Sequence, residues 1–222
     1  LSDLYFKQLL SGVDFATPDL RARSMGNFTY IIASLQTREA FLVDPAWDPS
    51  GILQILKAQN LNLKGIIATH HHGDHLGGKV MGMEIPGVAE ILQEYPVPIW
   101  CHESEVEGVL KTTGLSKTHL NTLQDGSVLK IGAVEIKIHH TPGHSPGGIC
   151  LEVEDKLLTG DTLFIQGCGR TDLMGGSGPE LHKSLTQRLA VLSDDFEVYP
   201  GHNYGGTSEN LGVIRRTNYA FG

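Results

Sequence analysis

Cysteine is scarce in this chain. Its 222 residues hold three, Cys101, Cys150 and Cys168. An odd, widely spaced set makes no disulfide framework, so the core has to come from apolar packing and a reducing cytoplasm is the expected compartment. A basic excess is missing too, with 17 Lys and Arg against 25 Asp and Glu and a formal charge of −8. That argues against nucleic acid as a partner, because binding it needs a basic stripe. No apolar run approaches about 18 residues, so no segment is expected to cross a membrane as a helix. The opening stretch "LSDLYFKQLLSGVDF" breaks up its apolar residues with Asp3, Lys7 and Asp14 and has no signal-peptide core. Low-complexity tracts and linkers are absent as well. One domain over residues 1–222 is therefore expected.

Short apolar runs and helical patterns alternate along the chain. "NFTYIIAS" and "AFLVD" read as strands joined by the polar turn "LQTRE". Asp48 and Pro49 then open a helix over "SGILQILKAQN", the acid as cap and the proline in the first turn. "LKGIIAT" is a short buried strand that runs directly into a cluster of histidines. Helices follow at "GVAEILQEY" and "ESEVEGVLKTTG", with a strand, "VPIWC", between them. "VEIKIHH", "GICLEVE" and "KLLTGD" are strands, and a helix after Pro179 aligns Leu181, Leu185, Leu189 and Leu192. "FEVYPGH" is the last strand. This interleaving predicts an α/β protein with two sheets and helices outside them.

The histidine cluster, "ATHHHGDHLGG" over residues 68–78, packs four imidazoles and a carboxylate into six positions. His70 and His72 stand two apart at a strand end and can face the same way. Gly73 is expected to let the chain turn sharply, which brings Asp74 and His75 round from the other side. Neither pair completes a site, since a cation of this kind takes four or more ligands. Three other strand ends supply the rest: His144 in "HTPGHSPGG", Asp161 in "LLTGDTLF" and His202 in "VYPGHNYG". His70, His72 and His144 would hold one divalent ion, and Asp74, His75 and His202 a second, with the two oxygens of Asp161 bridging them. Two carboxylates only half neutralise two such ions. The remaining charge favours a bound hydroxide, and so a nucleophile at neutral pH. Asp74 and Asp161 are the expected catalytic residues. His71 should point away from the ligands, and His102, His119, His139, His140 and His182 are read as structural or exposed.

The order His70-x-His72-x-Asp74-His75, then His144, Asp161 and His202, resembles the metallo-β-lactamase superfamily from "NFTYIIAS" to "GHNYG". The resemblance implies a four-layer αββα sandwich with the metals at one edge between the sheets. It also implies an outer carboxylate at Asp44, in "FLVDP". Enzymes of this fold that cleave β-lactams commonly carry cysteine where Asp161 stands. "GDTLFIQGCGRTDL" instead resembles glyoxalase II (hydroxyacylglutathione hydrolase) and the persulfide dioxygenases. That likeness implies hydrolysis of a small thioester such as an acylated glutathione, with Arg170 and Tyr204 contacting the substrate. Two ions are expected, zinc first, with iron or manganese as other ions that fit. The alternative it implies is a single Fe(II) on His70, His144 and Asp161, acting on glutathione persulfide. Lactone hydrolysis and metal binding without turnover are further readings, and a homo-oligomer is compatible with all of them. Cys168 is read as a small packed residue, not as a redox centre. No helical C-terminal extension like that of typical glyoxalase II is expected after His202, and the insertion-like residues 79–97 are expected to line the site in its place.

Overall fold

In the strand β2 (Phe28–Ser34), Phe28, Tyr30 and Ile32 point one way and Thr29, Ile31 and Ala33 the other, and all seven residues are buried. A strand covered on both faces needs an apolar layer on each side. The computed structural model, which describes residues 2–80 and 82–221, supplies both. β1 (Leu4–Leu10), β2, β3 (Glu39–Val43), β4 (Asn62–Ile67), β7 (Ile99–His102) and β8 (Leu120–Leu123) form one six-stranded sheet in the order β1-β2-β3-β4-β7-β8. β9 (Val128–Ile131), β10 (Val134–His140), β11 (Ile149–Val153), β12 (Lys156–Gly160), β13 (Glu197–Pro200) and β14 (Glu209–Asn210) form the second, in the order β14-β13-β12-β11-β10-β9. A two-stranded hairpin, β5 (Gly78–Val80) with β6 (Met83–Ile85), stands apart from both.

Between the sheets, Phe28, Tyr30, Ile32, Phe41 and Ile67 meet Ile136, Ile138, Ile149, Leu151 and Leu158. On the far side of the first sheet, Ile31, Leu42 and Ile66 pack with Ile52, Leu56, Ile91 and Val109. Those last four come from α2 (Pro49–Ala58), α4 (Val88–Glu94) and α5 (Val106–Thr113). On the far side of the second sheet, Cys150, Leu157 and Val198 pack with Leu181, Leu185, Leu211 and Ile214. Leu181 lies on α6 (Gly178–Lys183), and Leu211 and Ile214 on α7 (Leu211–Thr217). Three apolar layers between four layers of elements make the αββα sandwich that the resemblance implied. No helix is long and apolar enough to cross a membrane among the described residues.

Most elements lie where the sequence pattern puts them. Asp48 caps α2, its Oδ1 accepting from the Gly51 N–H at 2.9 Å, with Pro49 in the first turn. The differences are local. The chain reverses after His72 through a single helical turn, α3 (Gly73–Leu76), and Gly73 is not among the residues with positive φ. It matters for space instead, because a Cβ there would stand 2.9 Å from Val80 Cγ2 on the hairpin. The helix after Pro179 widens into a π-helical stretch from Ser184 to Leu189, while Leu181, Leu185 and Leu189 stay buried. The edge strand β1 and the short helix α1 (Leu20–Met25) have no clear signature in the sequence.

Topology decides where the side chains meet. β3 and β4 run parallel in one sheet, and β12 and β13 run parallel in the other. β10 is two antiparallel steps from β12, so it points the same way. Asp44, His70, His144, Asp161 and His202 follow the C-terminal ends of β3, β4, β10, β12 and β13 in that order. The Phe28 N–H donates to the Gly201 carbonyl at 2.8 Å and ties the two sheets together at this edge.

Candidate metal centre

His70, His72 and His144 bring one ring nitrogen each to within 4.8 Å of one another, and Asp74, His75 and His202 do the same with one donor atom each. In the first trio His72 Nδ1 lies 2.9 Å from His144 Nε2. In the second, His75 Nε2 lies 3.2 Å from His202 Nε2, and Asp74 Oδ2 is 3.3 Å from the same His202 atom. Asp161 stands between them. Its Oδ2 is 3.5 Å from His144 Nε2 and 3.4 Å from His202 Nε2, and its Oδ1 is 3.3 Å from His75 Nε2. All seven residues expected as ligands therefore converge on one place. Ligand atoms around a tetrahedral zinc with bonds of about 2.0–2.1 Å would sit about 3.3 Å apart, which is the spacing of these donors.

In four of the five rings the second nitrogen settles which atom is offered. His144 Nδ1 donates to the Arg170 carbonyl at 2.7 Å, and His202 Nδ1 to the Met25 carbonyl at 2.9 Å. His75 Nδ1 donates to Asp44 Oδ2 at 3.0 Å. Thr69 Oγ1 donates to the same carboxylate oxygen at 2.6 Å and so accepts from His70 Nδ1 at 3.0 Å. With Nδ1 bonded outside the site, Nε2 is the atom that each of these four rings turns toward the centre. His70 Nε2 and Asp161 Oδ1 have no hydrogen-bond partner although both are buried. Buried acceptors are costly to leave alone, so this donor set fits a divalent cation.

Charge divides the site. Burial, then the neighbouring His144, pulls His72 down to about 4. Burial, then His75 and His72, holds His70 well below its ordinary value. Burial would lower His75 as well, but Asp161 and Asp74 outweigh it and push it up to about 10. His202 is raised in the same way, burial being outweighed by Asp161. His70 and His72 thus offer neutral lone pairs. The second trio sits in enough negative charge to hold protons until a cation replaces them.

Asp44 is the outer carboxylate. Besides His75 and Thr69 Oγ1, it accepts from the Thr69 N–H at 2.8 Å, which uses both of its oxygens. It also lies close to His70 and His75 as a third group of donor atoms, but through Nδ1 of His75, the nitrogen that faces away from the other ligands. Its φ of 50° is left-handed, a strained position of the kind kept at functional sites. Two glycines admit the close approach of Asp161. A Cβ on Gly201 would stand 2.3 Å from Asp161 Oδ1, and one on Gly169 would stand 1.9 Å from its carbonyl.

Sequence reasoning missed Asn27 and Glu105. Asn27 is buried; its Oδ1 accepts from Trp47 Nε1 at 3.0 Å and its Nδ2 donates to Asp74 Oδ2 at 2.9 Å. Since indole only donates, the amide can face only this way. Glu105 is fully buried; it pairs with His71 Nδ1, and its Oε1 accepts from the Gly147 N–H at 2.6 Å. It thereby joins the loop of His70–His75 to the loop of His144. His71 does point away from the ligands, and its ring lies against Gly108 of α5. His139 pairs with Glu152 at 2.6 Å, His102 stacks on His140 at 3.8 Å, His119 is half-buried and His182 is exposed. None of them belongs to a metal-capable group among the described residues.

A cavity of about 1160 Å³ opens over the centre and is lined by Asp74, His144, Asp161 and His202 together with Arg170 and Tyr204. Tyr204 stacks on the His202 ring at 4.8 Å. Arg170 lies at the mouth with its fork taken up by Asp172, Nε to Oδ1 at 2.6 Å and a second nitrogen to Oδ2 at 2.7 Å. Cys168 also lines the cavity, and burial raises its thiol, which suits a packed residue more than a nucleophile. Segment 79–97 contributes Lys79, Val80, Glu84 and Ile85 from the hairpin, and Ala89 and Glu90 from α4.

A family model described as the metallo-beta-lactamase superfamily matches residues 23–202. The hydroxyacylglutathione hydrolase of Tolumonas auensis is 36% identical over 184 residues, 82% of this chain and 63% of that protein's length. The probable polyketide biosynthesis zinc-dependent hydrolase BaeB of Bacillus velezensis is 33% identical over 180 residues, 81% of this chain and 74% of its own. Among solved structures, ETHE1 from Myxococcus xanthus superposes with a TM-score of 0.75 at 27% identity, covering 96% of this chain and 82% of that one.

Proposed function

Because this chain belongs to the metallo-beta-lactamase superfamily, we propose that its metal centre takes two divalent ions and hydrolyses a thioester with an acidic thiol part, such as an acylated glutathione. The observation that carries this reading is the second trio. Asp74, His75 and His202 are as buried and as well oriented as the first trio, and Asp161 lies within 3.5 Å of nitrogens from both. Imidazole with carboxylate and no thiolate suits zinc first, then iron or manganese. Relatives named as hydroxyacylglutathione hydrolase and as zinc-dependent hydrolase support the same choice.

Ions in this position would supply Lewis acidity toward a carbonyl oxygen and lower the pKa of water. The remaining work falls to the chain. His70, His72 and His144 form one side of the site and Asp74, His75 and His202 the other. Asp161, held well below the usual carboxylate range because His202 and His75 outweigh its burial, remains an anion between them. Asp74 lies on the cavity wall with one oxygen fixed by Asn27, so its charge stays beside the reacting carbonyl. Phe164 packs edge-on to Tyr204 at 5.0 Å, and the pair makes an apolar wall against which an acyl group can lie.

The test is thiol release from a glutathione thioester by the zinc-loaded protein, in air and without oxygen. One thiol per thioester consumed, at the same rate in both, is expected. No thiol release, with oxygen taken up on glutathione persulfide, would transfer the site to the single-iron reading on His70, His144 and Asp161.

A further inference from the structure

Three cations line the cavity, Lys79, Lys111 and Arg170. Two of them are already paired. Lys79 meets Glu84 across the hairpin at 3.3 Å, and Arg170 is held through Nε and one terminal nitrogen by Asp172. An arginine already bidentate to one carboxylate has its charge largely matched, so a second carboxylate gains less from its remaining donors. Lys111 differs. Its ammonium has no carboxylate within 4.0 Å among the described residues, and its polar contact is Met174 Sδ at 3.9 Å. A thioether is a weak acceptor, so the donors of the ammonium remain for something else.

Lys111 is also well placed. α5 is locked against the metal-bearing loop, since a Cβ on Gly108 would stand 2.4 Å from the His71 ring, and Glu105 just before the helix holds that same ring. Lys111 follows Gly108 by three residues and so lies one turn further along the same side. Its neighbour Thr112 lies against Gly78 of the hairpin. The ammonium therefore extends from a rigid element and crosses the mouth toward Leu173 and Met174, both exposed. An unpaired cation beside apolar surface suits a ligand with an apolar arm and a carboxylate at its far end.

We propose that Lys111, rather than Arg170, is the specificity-determining residue that reads the remote carboxylate of the substrate. This rests on the acidic-thioester reading above. Arg170 then serves the site through its backbone carbonyl, which orients His144, while its side chain belongs to the loop.

Binding of an uncleavable ligand tests this separately from turnover. S-hexylglutathione, a thioether, and its diethyl ester are titrated calorimetrically into the zinc-loaded protein and into its Lys111→Met and Arg170→Met variants. Lys111→Met should weaken the acid about fivefold, the upper end for an exposed ion pair, and leave the diester unchanged. Arg170→Met should change either ligand by less than about twofold. Added salt should weaken the acid in the wild type and much less in Lys111→Met. Lys111→Arg, which keeps the charge, should restore most of the affinity. The proposal is overturned if Lys111→Met binds the acid as tightly as the wild type, if Arg170→Met suffers the larger loss, or if the wild type does not prefer the acid. A failure of thiol release with this binding pattern intact would sink the hydrolase reading alone.

Discussion

Four of the five imidazoles of the centre are told which nitrogen to offer by an atom outside it, and that is where single residues act. The Arg170 and Met25 carbonyls, Asp44 and Thr69 fix four rings, and Asn27 fixes Asp74. The residues expected as ligands were legible because histidine and aspartate repeated at strand ends have few other uses. Asn27 was not, since an asparagine ahead of a strand is an ordinary turn residue and its role depends on Trp47, twenty positions away. Asn27→Ala should strand the Trp47 N–H and one oxygen of Asp74. Denaturant unfolding should show a loss of about 1–3 kcal/mol, and metal titration a weaker ion on the Asp74 side with the other nearly unchanged. Equal weakening of both ions would mean that Asn27 supports the fold as a whole and not that half of the site.

Among elements, the start of α5 bears most directly on the centre, because Glu105 ties the His70–His75 loop and the His144 loop to one carboxylate. Leaving a buried hydrogen-bond partner unsatisfied typically costs about 1–3 kcal/mol, and Glu105→Ala would strand both the Gly147 N–H and the His71 ring, so it should be among the most damaging changes outside the ligands. Burial alone would raise the Glu105 carboxyl, but its hydrogen bond to His71 and that side chain's charge outweigh this and hold it below its ordinary 4.5. A depressed carboxyl stabilises the fold above its unfolded value and loses that contribution as pH falls through its folded value. The stability gap between the wild type and Glu105→Gln should be constant above pH about 4.5 and shrink below it. A gap that widened on acidification would reverse the assignment. Element type was readable where period and caps agreed, as at α2 and β10. The pattern was weakest at β1, an edge strand with most of its residues half-buried, and at α3 and the hairpin, whose shape is set by contact with α5.

Across the whole molecule, the two sheets meet at the metal edge, with Asp44 and His70 from one and His144, Asp161 and His202 from the other. On the two-metal reading, metal and fold are thereby coupled. A ligand that binds only the folded state adds about 4 kcal/mol at a thousand times its dissociation constant. Stripping the protein with a chelator should accordingly lower its melting temperature, and added zinc should restore it in proportion to the logarithm of its concentration. The alternation of strands and helices made the architecture readable. Tyr204 was named only through the resemblance, and Lys111 and Met174 were not readable, because they come from two segments that only the folded chain brings to one cavity. The most direct test of the account is an anomalous difference map of crystals grown with saturating zinc. Two peaks are expected, one beside His70, His72 and His144 and one beside Asp74, His75 and His202, with Asp161 between them. A single peak at full loading, with Asp74, His75 and His202 free of metal, would contradict it.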